Sequence, residues 1–441
     1  MKNGFLRSHM AQNASWIIIG QIYQMVLTFL VGIFSARYLG PSNYGLINYA
    51  ASLVTLFTAI CTLGTENILV NELVSRPEKE GVVCGTVIRM RLLSSLLSVI
   101  LLTLLAQMMN PDEPLTVYIT ALYSTTLLVK SFDSLNLWFQ AKLLSKVTAG
   151  ISAAAFTAVS AYKVYLLVTQ KSVIWFAASN VIQFAIVSFL LVVFYYRHNG
   201  RQHPLVWDGK LAKELFSRSY HFVLSGMMVA VYGQMDKIML KGMLDETAVG
   251  IYTAGSSISE MWIFILGAIV TSARPVILEK FRTDREKYEK MLTGLYAVVI
   301  GCSVAVALVL SLSAKLVIWI LYGEAYAAAK SVLRILTWST AFSYMGVVRG
   351  IWVVPNEKQR YEKYIAASGA VCNLLLNCLL IPSFGANGAA VATLASQAFT
   401  NFIVGFLIKE IRYNNVLIVR SFFLPFKMLK ECMEGRKKNG N

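Results

Sequence analysis

Ten ionisable residues lie where a sequence rarely puts them, inside or at the edges of long apolar stretches. Six are cations (Arg37, Lys130, Lys237, Arg274, Arg334 and Arg349) and four are carboxylates (Glu66, Asp133, Asp236 and Glu260). A charge in hydrocarbon is costly, and it persists where it faces a bundle interior, a wet cavity or a partner. Arginine and lysine so placed are anion ligands, and a guanidinium forks onto phosphate oxygens without losing its charge. The carboxylates can balance those cations or carry a coupling ion, a proton or sodium, and both roles stay open at this level. Lys130 and Asp133 are i,i+3 neighbours, close enough on a helix to pair. The six cysteines show no CxxC spacing and sit mostly in apolar segments, which reads as buried free thiols with neither a disulfide framework nor a metal centre.

The elements holding these charges are membrane spans. A hydrophobic fraction of 56%, only 14% charged residues and a mean hydropathy of +0.60 exclude an ordinary soluble globule. At about 20 apolar residues per crossing, the pattern gives spans near 13–37, 43–70, 84–109, 115–139, 144–168, 172–196, 215–241, 247–275, 291–314, 326–352, 361–382 and 386–410. Lys2 and Arg7 precede the first, which reads as an uncleaved span. The net charge of +17 does not imply nucleic acid, because the basic residues fall in alternate connections. Arg76, Lys79, Arg89 and Arg91 form one such group, and Lys142 and Lys146 the next. The intervening loops are nearly bare of them, which places the basic loops and both termini in the cytoplasm. Those bare loops are also short, leaving little room for the acceptor site of a membrane polymerase or ligase. The expectation is a carrier, with no enzyme activity.

The chain also repeats. At an offset of 205, Leu39, Gly45, Leu46 and Ser52 face Leu244, Gly250, Ile251 and Ser257; at 214, Trp138, Ala178 and Gln183 face Trp352, Ala392 and Gln397. Six spans per half imply a parallel repeat about an axis normal to the membrane. The expected organisation is an N-terminal lobe over 1–204, a C-terminal lobe over 205–410 that begins with a connector, and a basic tail over 411–441. Leu205, Trp207, Leu211 and Leu215 give the connector an amphipathic, interfacial look. Under the repeat, spans 1, 2 and 4 answer to spans 7, 8 and 10, and these six carry the intramembrane charge. Spans 3, 6, 9, 11 and 12 read as uncharged inside. Polar stripes agree: Gln21, Gln24, Thr28 and Ser35 on span 1, and Asp133, Asn136 and Gln140 on span 4. The predicted site is a cationic cleft between the lobes. Arg334 lies about two turns inside its span, whereas Arg37, Arg274 and Arg349 lie near span ends, where an interfacial role is equally open.

Short motifs carry a resemblance. The run from Ala36 through Arg37, Tyr38, Leu39, Gly40, Pro41, Ser42, Asn43 and Tyr44 to Gly45 resembles the opening of Wzx-type polysaccharide flippases. So do Tyr232 to Leu240, Val249 to Tyr252, and Tyr322 to Tyr326. The resemblance implies the all-α, MATE-like fold of the multidrug/oligosaccharidyl-lipid/polysaccharide exporter superfamily, with two six-helix lobes. It implies movement of undecaprenyl-diphosphate-linked oligosaccharide from the cytoplasmic to the outer leaflet of a bacterial cell membrane, by alternating access. The product would be O-antigen, capsule or exopolysaccharide. Membrane lipids, a polysaccharide polymerase and chain-length proteins would be its partners, and no cofactor beyond a coupling ion is implied. A multidrug cation antiporter of the same superfamily is the alternative, and it would want an acidic cavity.

Overall fold

The computed structural model describes residues 2–199 and 203–424. Among them there is no strand, and the order is α1 (Lys2–Thr62), α2 (Glu66–Ser75), α3 (Glu80–Met109), α4 (Pro114–Lys130), α5 (Ser134–Ala141), α6 (Ser145–Val168), α7 (Val173–Asn199), α8 (Gly209–Met243), α9 (Glu246–Met261), α10 (Ile263–Thr283), α11 (Arg285–Tyr322), α12 (Ala329–Val353), α13 (Glu362–Ala398) and α14 (Val404–Leu407). In lipid every backbone polar group must be satisfied within its own segment, and helices do this.

The count of crossings matches the hydropathy pattern. Eight segments are long and apolar enough to cross a bilayer. Two of them contain a break: α1 at Gly40 (φ 73°) and α13 at Gly385 (φ 57°). Glycine adopts positive φ at little steric cost, so one long helix becomes two crossings. The charged helices α8 and α12, of 35 and 25 residues, are also long enough for roughly 30 Å of hydrocarbon. Twelve crossings result among the described residues. The protein is a multi-pass, all-helical membrane protein.

Residues Met1–Gly250 and Ile251–Asn441 form two compact units. The first packs Leu69, Val83, Leu135, Trp138, Tyr195 and Leu215 into a core, and the second packs Leu266, Tyr288, Tyr296, Val348, Trp352 and Leu417. Trp138 and Trp352, paired by the repeat, are 3% and 4% exposed in their respective cores. Five cysteines are free thiols: Cys61 and Cys84 are buried, Cys372 is half-buried, and Cys302 and Cys378 are exposed. Cys432 lies outside the described residues.

Two local expectations change. Leu211 and Leu215 do not lie in an interfacial helix, because they belong to α8 and are buried in the first core. Asp208 caps α8 by accepting from the Lys210 and Leu211 amides at 2.8 and 3.2 Å. The preceding backbone runs across α3, and Gly81 and Gly85 leave no space for a Cβ beneath it. The second change concerns the tail. Residues 412–424 are helical, and Ile411, Leu417 and Ile418 are buried in the second core. Asn414 there accepts from the Tyr296 hydroxyl at 2.9 Å. The charge-rich remainder of the tail lies outside the described residues.

A reciprocal contact closes one end of the first unit. A Cβ on Gly45 would overlap the Glu246 carbonyl oxygen, and one on Gly250 would overlap that of Pro41. At the offset of 205, Gly45 answers to Gly250 and Pro41 to Glu246, so the two overlaps are repeat-related. Beside this crossing Lys241, 5% exposed, donates to both Glu113 carboxylate oxygens at 2.7 and 2.6 Å and to Glu246 at 2.9 Å. Ser42 donates to Glu246 at 2.9 Å, and Thr116 to Glu113 at 2.6 Å. One ammonium thus fastens the α3–α4 turn to the end of α8 and the start of α9, and Ser42 adds the second half of α1.

Two outcomes follow from this end of the molecule. Gly45→Ala and Gly250→Ala should each destabilise by about 1–3 kcal/mol through overpacking, read as a lowered melting temperature in detergent. Gly233→Ala is the control, since a Cβ there meets nothing. The hydrogen bonds from Lys241 and then Thr116 hold the Glu113 carboxyl below its ordinary value. Its stabilising contribution is therefore full above about pH 4.3 and is lost as the pH falls through the depressed folded value. Glu113→Gln should lower the melting temperature at pH 7 and flatten its decline between pH 5 and pH 3, roughly the carboxylate range.

Candidate functional site

The first unit holds a cavity of about 390 Å³. Its charges sit at helix discontinuities. Leu63 (φ 52°) and Gly64 (φ 64°) interrupt the stretch predicted as one span over 43–70, so Glu66 opens α2 and does not lie mid-span. A carboxylate in the first turn complements the positive helix end. Lys130 closes α4, and a 3₁₀ turn over Ser131–Asp133 separates it from α5, where an unbroken span was predicted over 115–139. Ser131 and Ser134 bond back to the carbonyls of Leu127 and Ser131, each at 3.2 Å, a habit that bends helices. A cation at a helix C-terminus is likewise favoured. The backbone thus supplies part of the solvation these charges lose.

Arg91 completes the group. Its Nε and Nη2 donate to the Thr65 hydroxyl at 3.0 and 2.8 Å, and Nη2 lies 3.9 Å from Glu66. The side chain is 2% exposed. Lys130 places its Nζ 4.2 Å from the Phe184 ring centroid, a cation–π contact. The charged lining is therefore Glu66, Arg91, Lys130 and Asp133. Formally the four cancel, where a cationic surplus was expected. Sequence reasoning missed Arg91 because charge alone groups it with Arg76, Lys79 and Arg89 in one basic connection, although Arg89 and Arg91 both lie within α3. The available signal was Pro77, which opens the 3₁₀ turn leading into α3 and sets Arg91 about three turns inside the helix.

Around the charges lie amides and hydroxyls: Gln21, Gln24, Thr58 and Thr62 from α1, Asn136 and Gln140 from α5, and Thr148 and Ser152 from α6. Phe156 and Phe184 add ring surface. All six crossings of the first half contribute. The sequence pointed to three of them, spans 1, 2 and 4; spans 3, 5 and 6 add Arg91, the hydroxyls and the phenylalanines.

The remaining candidates stand elsewhere. Arg37 is exposed just before the break in α1, and Asp236 is buried on α8 beside a half-buried Lys237. Glu260 is exposed near the end of α9, and Arg274 is exposed on α10. Arg334, exposed on α12, donates from Nε to the Ser311 carbonyl of α11 at 3.1 Å. Arg349 is 3% exposed. It forks onto Glu362 at 3.0 and 3.3 Å and reaches Asn401 at 3.4 Å, so its guanidinium clamps α12 to α13. Of the ten, only Glu66, Lys130 and Asp133 meet in the cavity of the first unit.

The sequence and the fold each have known counterparts. Over 233 residues the chain is 22% identical to the probable low-salt glycan biosynthesis flippase Agl15 of Haloferax volcanii, covering 50% of this chain and 49% of that one. An uncharacterized membrane protein of Methanocaldococcus jannaschii is 24% identical over 196 residues, covering 44% and 38%. The chain thus spans about half, or less, of the length of these relatives. In fold it matches an inward-facing multidrug resistance MATE family transporter of the MOP superfamily, with a TM-score of 0.68, 14% identity and coverage of 91% and 96%. It matches the lipid II flippase MurJ, inward closed, equally well: TM-score 0.68, 15% identity, coverage of 93% and 92%. The model of the polysaccharide biosynthesis protein family aligns over residues 10–281, well over half of the sequence. The chain belongs to that family, and its fold is that of the MOP superfamily transporters.

Proposed function

We propose that the protein is a flippase for undecaprenyl-diphosphate-linked oligosaccharides, carrying them from the cytoplasmic to the outer leaflet for assembly of a surface polysaccharide. One observation carries this reading: an apolar bundle holds a cavity in which Lys130 and Arg91 stand among uncharged amides and hydroxyls. A diphosphate-sugar head group entering hydrocarbon loses its water at great cost. Cations and polar side chains replace that water while the polyprenyl chain stays in lipid. Glu66 and Asp133 balance the cations when no cargo is bound, which lowers the cost of keeping them in the membrane. Arg91, held on the Thr65 hydroxyl and 3.9 Å from Glu66, adds its positive charge to the cavity wall.

In this reading both termini are cytoplasmic, the two halves give alternating access, and the membrane potential favours outward movement of an anion by roughly 2.3 kcal/mol per charge per 100 mV. A proton or sodium ion at Asp133 or Asp236 is the proposed coupling. A polymerase and chain-length proteins would take the product onward.

The two carboxylates in the same cavity favour a second reading, export of a lipophilic cation, and one experiment separates the two. Under the flippase reading Lys130→Gln removes a charge-assisted bond to phosphate worth about 1.5–3 kcal/mol, roughly a tenfold to hundredfold loss of affinity. Undecaprenyl diphosphate binding in nanodiscs should weaken by that factor, Lys130→Arg should retain more of it, and folded yield should hold. A cation exporter would instead gain affinity for a lipophilic cation in Lys130→Gln and lose it in Asp133→Asn. That second pattern would overturn the flippase reading.

A further inference from the structure

The cavity is not uniform along its length. From Asp133, the residue before α5, a face continues along α5 through Asn136 to Gln140, spaced i, i+3 and i+7. Across from it Gln21 and Gln24 share one face of α1, and all line the cavity. Gly20 sits against Ala149, where a Cβ would come 3.2 Å from that of Ala149. This close packing of α1 on α6 brings Thr148 and Ser152 to the border of the same region. Lys130 and Asp133 stand at the break between α4 and α5, and from Ser134 to Gln140 the axis of α5 advances about 9 Å, so a charged section and an uncharged amide section follow one another along the chain.

Several amides elsewhere in this chain are engaged by protein. Asn48 donates to the Tyr44 carbonyl at 2.8 Å, Asn377 to Asn373 at 3.1 Å and Asn401 to Gln397 at 2.7 Å. Among the described residues, the side-chain amides of Gln21, Gln24 and Gln140 have no such partner, although all three face the cavity. A glutamine amide offers two donors and an acceptor with two lone pairs, and leaving them unsatisfied in an apolar bundle is unfavourable. Groups of this kind match a cargo that presents both donors and acceptors and no charge, which is the chemistry of sugar hydroxyls. The phenyl ring of Phe156 supplies an apolar face for the C–H side of a pyranose.

We infer that the cavity is bipartite, with Gln21, Gln24 and Gln140 forming a sugar subsite that reads the rings next to the diphosphate, while Lys130 and Arg91 take the diphosphate itself. This rests on the flippase reading and adds a specificity element to it. Charge alone cannot tell one oligosaccharide from another. Paired donors and acceptors can, because a missing or inverted hydroxyl leaves an amide unsatisfied.

The test compares two ligands on the full chain in nanodiscs: bare undecaprenyl diphosphate and the same lipid bearing an oligosaccharide. Gln21→Met, Gln24→Met and Gln140→Met keep side-chain length and remove the amide. Each should weaken the glycosylated lipid roughly 3- to 10-fold, one or two neutral hydrogen bonds, and leave the bare lipid unchanged. Lys130→Gln should weaken both. If the glutamine variants weaken both lipids equally, or neither, the subsite is wrong and the flippase reading stands. If the wild-type protein binds neither lipid, the flippase reading falls and the subsite with it. A melting temperature for each variant, with Gln21→Glu and Gln140→Glu as shape-preserving companions, separates lost binding from lost fold.

Discussion

Everything in the first unit answers to one constraint, the solvation of charge inside an apolar bundle. Hydrocarbon offers nothing to a guanidinium, an ammonium or a carboxylate, so the protein must supply the replacement. Here it does so with helix ends. Glu66 opens one helix after a three-residue break, and Lys130 closes another before a 3₁₀ turn. Arg91 lies within a continuous helix and uses the Thr65 hydroxyl beside the same break. The breaks cost backbone hydrogen bonds, and they occur where charges can exploit the freed dipoles. A cavity results because a bent helix cannot pack flush against its neighbours.

The internal repeat survives in packing and is lost in chemistry. Gly45 and Gly250 still make reciprocal close contacts, and Trp138 and Trp352 still anchor equivalent cores. At the same offset of 214, however, Lys130 faces Tyr344, Asp133 faces Val347 and Asn136 faces Gly350. Helix packing depends on side-chain volume over many positions and tolerates little change at a close crossing. A binding site depends on a handful of groups and can be kept in one half alone. In the second half Arg349, 3% exposed, is committed to Glu362 and Asn401.

Much of the fold was legible before any coordinates. Apolar run lengths gave twelve crossings, because the bilayer sets how many residues a span needs. The cost of intramembrane charge singled out Glu66, Lys130 and Asp133, and helical spacing put Gln21 and Gln24 on one face and Asn136 and Gln140 on another. The company each charge keeps came from the packed molecule. Hydropathy averages over a window, so it could not see the short breaks at Leu63 and Gly64 and over Ser131–Asp133. Nor could it distinguish Arg91 from the other basic residues near it in sequence, or tell that Arg349 is occupied by Glu362, since that partner lies on another helix. Span membership follows from local composition, whereas the neighbours of a charge are set by how helices cross.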